Sequence, residues 1–346
     1  MTRAAGRSLL GISTPLATAY DVALLDLDGV VYVGPDPIPS AAPALAKARA
    51  AGMRLAFVTN NASRDPAAVA AHLVALGVPA DADEVVTSSQ AAATVLLERL
   101  GVGASVLVTG SAALRTAVED VGLRVVTSSD DRPDAVVQGY SPDLRYADLA
   151  EAALAVRAGA FWVATNTDST LPSARGLLPG NGSLVAMVAV ATGRRATVAG
   201  KPQLPMHAEG VRRTGAKTPL VVGDRLDTDI EGANVADTDS LLVLTGVTAA
   251  ADLVDASVEH RPTFLAHDLT GLVDTQPDVE HDGFVARCGG WTATADRFDG
   301  RVTIRVDGDG GLIDGLRAVL TAAWAARDAG ATTVDAADSL RRLGFS

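Results

Sequence analysis

The sequence is short of cysteine, of lysine and of long apolar runs, and each shortage excludes something. A single cysteine, Cys288, leaves no internal disulfide framework and no multi-cysteine zinc site. The longest apolar stretch, around Leu184 to Ala191, falls short of the ~18 residues that a membrane span needs. Met1 to Ser13 carries arginines but only the apolar pair Leu9 and Leu10, too little for the core of a signal peptide. Basic residues are outnumbered, 29 Lys+Arg against 41 Asp+Glu, giving a formal net charge of -12. That balance supplies no basic stripe for nucleic acid or for an anionic membrane. The lysines are Lys47, Lys201 and Lys217 alone, and the wealth of Arg, Ala and Gly matches a GC-rich coding bias. The expectation is a cytoplasmic protein that neither binds nucleic acid nor inserts into a membrane.

What is present is a chain of 346 residues, long enough for two or three domains. Its dominant pattern is a short Val/Leu-rich run, a Gly/Asp/Asn turn, and then an Ala-rich amphipathic helix. Val22–Leu27, Arg54–Thr59, Pro219–Val222 and Ser240–Leu244 read as strands buried on both faces. Between the second strand and its successor, Asp65 can cap a helix and Pro66 can occupy its first position. Val69, Leu73 and Leu76 form the apolar face of that helix, and Gly77 stops it. Alternating strands and helices predict a mainly parallel sheet, with ligand sites at the carboxyl ends of the strands.

A second series, with strands at Ser105–Thr109, Ala135–Gln138 and Phe161–Ala164, reads as an inserted domain. From about Asp274 the texture changes. Thr275–Gly283 is polar and turn-rich like a linker. Arg301–Val306 alternates like a half-exposed antiparallel strand, and Leu312–Asp328 reads as a helix with Leu316, Leu320 and Trp324 inward. The expected division is 17–87 with 197–273 as the core, 88–196 as the insertion, and 274–346 as a small α+β appendage.

Four constellations carry chemistry. Asp26 and Asp28 leave a strand end on one side, where a cation or proton must neutralise them, and Gly29 permits a sharp turn beside them. The same residues also read as a solvated Asp-Gly turn. Thr59, Asn60 and Asn61 offer a hydroxyl, amides and backbone N–H groups to an anion, or make an ordinary Asn-rich turn. Lys201, between Gly200 and Pro202, is either a directed cation or a surface lysine. Asp224, Asp227 and Asp229 follow another apolar strand. They offer oxygen ligands to Mg²⁺, with Asp227 or Thr228 also able to cap a helix that Ile230 enters.

Asp-x-Asp, Thr-Asn-Asn, Gly-Lys-Pro and Gly-Asp-x₄-Asp, in this order and each at a strand end, resemble the haloacid-dehalogenase (HAD) superfamily of aspartate-nucleophile phosphatases. The resemblance spans roughly Tyr20 to Asp268. It extends to the NagD-like and phosphoglycolate/glycerol-phosphate phosphatases through Ala164–Pro172 and Pro179–Ser183, which look like that subfamily's cap signatures. The implied fold is α/β: a doubly wound parallel-sheet HAD core, an inserted α/β cap of the C2 type, and the α+β appendage, which is not part of the general family pattern.

The resemblance implies that Asp26 attacks phosphorus, forming an aspartyl-phosphate, while Asp28 protonates the leaving group and later activates water. Mg²⁺ would be held by Asp26, the Asp28 carbonyl and Asp224, with Asp229 orienting a metal-bound water. Thr59, Asn60 and Lys201 would take the phosphoryl oxygens, with Asn61 and Arg64 just beyond. The loop Asp168–Pro172 would cover the leaving group. Asp168 either bonds a substrate hydroxyl or caps the following turn, and Leu171 adds no polar selectivity. The implied substrate is a small phosphorylated metabolite, glycerol 3-phosphate foremost, with phosphoglycolate, sugar phosphates and nucleoside monophosphates as alternatives. A homo-oligomer through the cap or appendage is compatible with it.

Two other classes use similar parts. A receiver-type phosphorylation switch also clusters Asp, Thr, Lys and Mg²⁺, but sets its acceptor Asp on a later strand than its acidic pair and needs no cap-sized insertion. A regulatory binding protein would draw on the appendage, whose β, β, α, β order is compatible with a fragment of an acyltransferase-like fold, although no acetyl-donor loop is evident.

Overall fold

The structure is a computed structural model that describes residues 8–173, 175–298 and 301–345. The stretch Met1 to Ser13, read as too poor in apolar residues for a signal-peptide core, lies outside the described residues as far as Arg7. The chain divides into two compact units, one made of residues up to Leu55 together with those from Ala216 onward, the other running from Ala56 to Gly215.

In the first unit the strands Val22–Leu25, Pro219–Gly223, Asp239–Val243 and Phe264–Ala266 lie side by side and all parallel. Their residues are almost entirely buried, as expected of strands covered on both faces. The register pairs Leu25 with Val222 and Gly223 with Leu242, so three strands end at one level. Asp26 and Asp224 each stand one residue past such an end.

The appendage is built as an antiparallel sheet of Glu280–Asp282, Val285–Cys288, Trp291–Phe298 and Arg301–Gly308, with Val334–Asp335 added in parallel. Strict burial alternation along Arg301–Val306 marks one wet face and one covered face. The helix Leu312–Asp328 covers that face, with Leu316, Leu320 and Trp324 buried as the periodicity requires. These side chains share one apolar cluster with Ile230, Leu242, Leu253 and Leu265 of the parallel-sheet region. Each fully buried aliphatic side chain in such a cluster contributes about 1.5–3 kcal/mol.

The stretch expected to be a linker is tied down instead. Gln276 is buried, bridges Ile12 through backbone hydrogen bonds in both directions, and accepts from the fully buried Arg317 at 2.7 Å. Arg317 also donates to the carbonyls of Leu10 and Pro277. Polar composition suggested solvent here, but the polar groups find partners far away in sequence.

In the second unit, the end of the strand Arg54–Thr59 pairs in parallel with Val85–Thr87. The helix Pro66–Ala75 starts as the sequence predicts: Asp65 accepts from the Ala68 N–H at 2.7 Å and Pro66 follows it. A cap of this kind contributes about 0.5–2 kcal/mol. A separate five-stranded parallel sheet runs in the order Thr197–Val198, Phe161–Ala164, Ala135–Gln138, Ser105–Thr109, Arg124–Val126. Its core gathers Val136, Trp162, Leu149, Val156 and Val188. The segment read as the loop Asp168–Pro172 is in part a strand, because Thr170–Ser173 forms an antiparallel hairpin with Gly176–Pro179. Among the described residues no helix is long and apolar enough to cross a membrane.

Candidate functional site

The acidic residues of the first unit converge. Asp26 extends the sheet by one rung, donating its N–H to the Val222 carbonyl at 2.8 Å, which sets it beside Gly223. Asp224 follows that strand and is fully buried. Leu226–Ile230 then forms a single π turn in which the N–H groups of Asp229 and Ile230 both reach the Arg225 carbonyl at 3.2 Å. Such turns recur at functional sites because they push a side chain out of ordinary helical register. Here the displaced residue is Asp229, whose carboxylate accepts from the Arg225 N–H. One carboxylate oxygen from each of Asp26, Asp224 and Asp229 lies within 4.8 Å of the other two.

Neither Asp227 nor Thr228 caps this turn. Asp227 turns back to Arg225 in a two-pronged pair at 2.8 and 3.0 Å, and that hydrogen-bonded guanidinium holds its carboxyl below the usual range. Thr228 is buried.

Glycines make the convergence possible. A Cβ on Gly29, which adopts a φ of +86°, would stand 2.5 Å from an Asp224 oxygen, and one on Gly246 would stand 2.0 Å from it. On Gly223 it would meet the Asp229 side chain at 2.2 Å. The loop after the strand Asp239–Val243 completes the cradle. Val247 N–H donates to Asp224 Oδ2 at 2.6 Å, and the Thr245 hydroxyl donates to the Gly29 carbonyl at 2.6 Å. Sequence reading missed Thr245, Gly246 and Val247. The available signal was positional: they follow a third buried strand at the level of the acidic ends.

Three carboxylates this close repel by roughly 3 kcal/mol per pair at an effective dielectric near 20. An all-oxygen, multi-carboxylate site of this kind suits a hard divalent cation such as Mg²⁺. Asp28 is exposed and its carboxylate is not one of the trio. Its turn is tight, with Gly29 N–H donating to the Tyr32 carbonyl at 2.7 Å.

In the second unit the predicted residues gather around Asn60. Its amide grips the Lys201 peptide from both sides: Oδ1 accepts the Lys201 N–H at 2.8 Å and Nδ2 donates to the Lys201 carbonyl at 3.3 Å. The same Nδ2 reaches the Asp168 carboxylate at 3.4 and 3.5 Å. Behind it stand two further asparagines. Asn166 donates to the Asn60 carbonyl at 2.7 Å, and Asn181 donates to the Asn166 carbonyl at 2.7 Å. Gly200 must be glycine here, because a Cβ would lie 2.5 Å from the Thr165 carbonyl and 2.6 Å from Asn60 Oδ1. The Lys201–Pro202 peptide is cis.

Thr59 Oγ1 accepts the Asn61 N–H at 3.1 Å, and Asn61 Oδ1 accepts from both the N–H and hydroxyl of Ser63. Asn61 therefore shapes the turn that leads to the Asp65 cap, and Arg64 is exposed there. At Asp168 the turn is held by Asn166, whose Oδ1 accepts the Asp168 N–H at 3.2 Å. The roles of Asn166 and Asn181 went unread in the sequence, although both lie in the two segments singled out there.

Comparison with known proteins adds the following. A haloacid dehalogenase-like hydrolase model matches residues 23–124, and a HAD-hydrolase-like model matches 198–272. A GCN5-related N-acetyltransferase like domain model matches 288–345. The chain is 50% identical over 321 residues to D-glycerol 3-phosphate phosphatase of Mycobacterium tuberculosis, covering 91% of this chain and 88% of the relative. It is 38% identical over 253 residues to 5'-nucleotidase YutF of Bacillus subtilis, covering 72% and 96%. Among solved structures, a glycerol phosphate phosphatase from Mycobacterium tuberculosis in complex with magnesium superposes with a TM-score of 0.86 at 46% identity, over 95% of this chain and 99% of that one.

Proposed function

The chain belongs to the haloacid dehalogenase-like hydrolases, and from that premise we propose that it is a Mg²⁺-dependent phosphomonoesterase acting on a small phosphorylated metabolite, glycerol 3-phosphate foremost. The observation that carries the proposal is the meeting of Asp26, Asp224 and Asp229 within 4.8 Å at the ends of parallel strands. The substrate assignment rests on the half-identical relative named for that activity and on the matching magnesium-bound structure.

Asp26 is the nucleophile. Its carboxylate attacks phosphorus, the ester oxygen leaves, and water then opens the aspartyl-phosphate. Asp28 gives the leaving alkoxide its proton and takes one from that water. Its exposed position two residues from Asp26 leaves it clear of the carboxylate trio. Asp26, Asp224 and the Asp28 carbonyl would hold Mg²⁺, with Asp229 placed to orient a water beside them. Bound there, Mg²⁺ would supply positive charge to offset the carboxylates and the charge that develops on the transferring group. Thr59, the Asn60 N–H and Lys201 bind phosphoryl oxygens, with Asn60's side chain fixing the lysine's peptide. Asp168 accepts a substrate hydroxyl, and the hairpin that follows it shields the reaction from water. Residues 17–87 with 197–273 serve as catalytic core and 88–196 as cap, in a cytoplasmic enzyme.

We assign the appendage no second chemistry. Its glycine-rich loop Gly308–Gly311 leads into a long helix, where a phosphate-bearing acyl donor could in principle sit. The loop instead presses on Gly290, whose Cβ would stand 2.2 Å from the Asp309 carbonyl, and Asp314 faces Gly289 and Gly311. Burial raises the Asp314 carboxyl, against the pull of Arg317. A loop filled in this way does not fit that donor.

The substrate is tested by phosphate release from glycerol 3-phosphate, phosphoglycolate, a sugar phosphate and a nucleoside monophosphate under one Mg²⁺ concentration. Highest kcat/KM on glycerol 3-phosphate is expected. A higher value on the nucleotide would overturn that assignment. Stable phosphorylation of the protein without turnover would instead favour the signalling class.

A further inference from the structure

We infer that the appendage braces the turn that carries Asp229, and that Arg261 is the positioning residue through which it acts. The inference rests on the reading of Asp26 and Asp224 as Mg²⁺ ligands with Asp229 orienting a water beside them.

Asp328 ends the long appendage helix, where the helix dipole disfavours a carboxylate. Helix formation does not explain it, but its partner does. Both its oxygens accept from Arg261, at 2.8 Å each. The Arg261 side chain is 2% exposed, and its guanidinium stands 5.1 Å above the Trp324 ring. Trp324 in turn donates to the Leu253 carbonyl at 2.8 Å. A two-pronged pair on a buried arginine with an aromatic floor allows one orientation of the arginine and hence of its backbone.

That backbone serves a different helix. The Glu259 and Arg261 carbonyls accept from Asn234 Nδ2 at 2.6 and 3.2 Å, and His260 Nε2 lies 3.1 Å from Glu231 Oε2. Glu231 and Asn234 belong to the helix Glu231–Val235, which continues without a break from the π turn Leu226–Ile230. Ile230, fully buried, sits in the same apolar cluster as Leu316, Leu320 and Trp324. A polar path and an apolar one thus both run from the appendage to the residues flanking Asp229. A five-residue π turn is a short, rare element, and this one holds a carboxylate close to two others. An outside support is what such a turn lacks.

The test is calorimetric titration of the full-length, metal-free protein with Mg²⁺, comparing the parent with Arg261→Met, Arg261→Lys and Asp328→Asn. Residues that support a metal site from outside its ligands are worth about 10-fold or more in metal affinity, so Arg261→Met and Asp328→Asn should bind Mg²⁺ about 10-fold more weakly. Arg261→Lys, which keeps the charge and loses the fork, should fall in between and guards against a variant that does not fold. Turnover at saturating Mg²⁺ should largely survive. Val136→Ala, in the core of the second unit's five-stranded sheet, controls for general destabilisation and should leave Mg²⁺ affinity at the parent value. Parent-like affinity in folded Arg261→Met, Arg261→Lys and Asp328→Asn would overturn the brace alone. No Mg²⁺ uptake by the parent would overturn the metal reading, and the brace with it.

Discussion

At the acidic turn of the first unit, three carboxylates are held against their own repulsion by glycines and a few backbone N–H groups. Around Asn60 in the second unit, neutral asparagine amides bond mainly to backbone, with Asp168 at the margin and the Lys201 backbone gripped at its N–H and its carbonyl. The first arrangement is costly until a cation arrives, so its geometry is coupled to metal. The second is built from neutral hydrogen bonds that need no ion, so its geometry is preset. The difference teaches where each half should fail: the acidic turn through metal affinity, the asparagine cradle through substrate affinity and alignment.

Four changes would break or sharpen that contrast, from the largest effect down. Asp26→Asn removes the proposed nucleophile and should lower kcat by about 10⁴-fold or more, measured as phosphate release at saturating Mg²⁺. Asn60→Ala lets the Lys201 peptide drift, and misplacement of that order costs about 100-fold in kcat/KM. Mg²⁺ affinity should not change in that variant, and a parallel loss would merge the two halves into one.

Gly246→Ala is the reciprocal change. Its Cβ would meet Asp224 at 2.0 Å, and Mg²⁺ affinity should drop by about 10-fold or more. Inhibition by inorganic phosphate, read at saturating Mg²⁺, should stay close to the parent.

The smallest effect concerns Glu209, fully buried in the second unit. Burial pushes its carboxyl up, but hydrogen bonds from Arg212, Arg213 and Thr94 outweigh it and leave the pKa below the ordinary 4.5. A depressed carboxyl contributes stability that is present above 4.5 and lost as pH falls through its folded value, because the unfolded chain takes up the proton first. Thermal unfolding of Glu209→Gln should therefore depend less on pH below 4.5 than the parent does. An equally steep acid limb in both would remove Glu209 from the account.

The sequence was most legible where pattern and partner are local. The helix Leu312–Asp328 and the strands Ser105–Thr109, Ala135–Gln138 and Phe161–Ala164 fall where periodicity and β-branched runs place them. Asp65 caps its helix because its partner is three residues away. Legibility failed where a residue's partner is remote. Gln276 reads as linker until Ile12 and Arg317 are seen to satisfy it. Gly246 reads as an unremarkable turn until the approach of Asp224 shows that no side chain could stand there. The π turn escaped for another reason: Asp227 and Thr228 have ideal capping chemistry, yet Arg225 claims the first and burial the second.

The central claim is that the carboxylate trio makes this chain a metal-dependent phosphatase. The most direct measurement is phosphate release from glycerol 3-phosphate by the full chain, with Mg²⁺ and with a chelator, in the parent and in Asp26→Asn. The account predicts many turnovers per chain for the parent with Mg²⁺, and none in chelator or in Asp26→Asn. Undiminished release in chelator, or from Asp26→Asn, would contradict it.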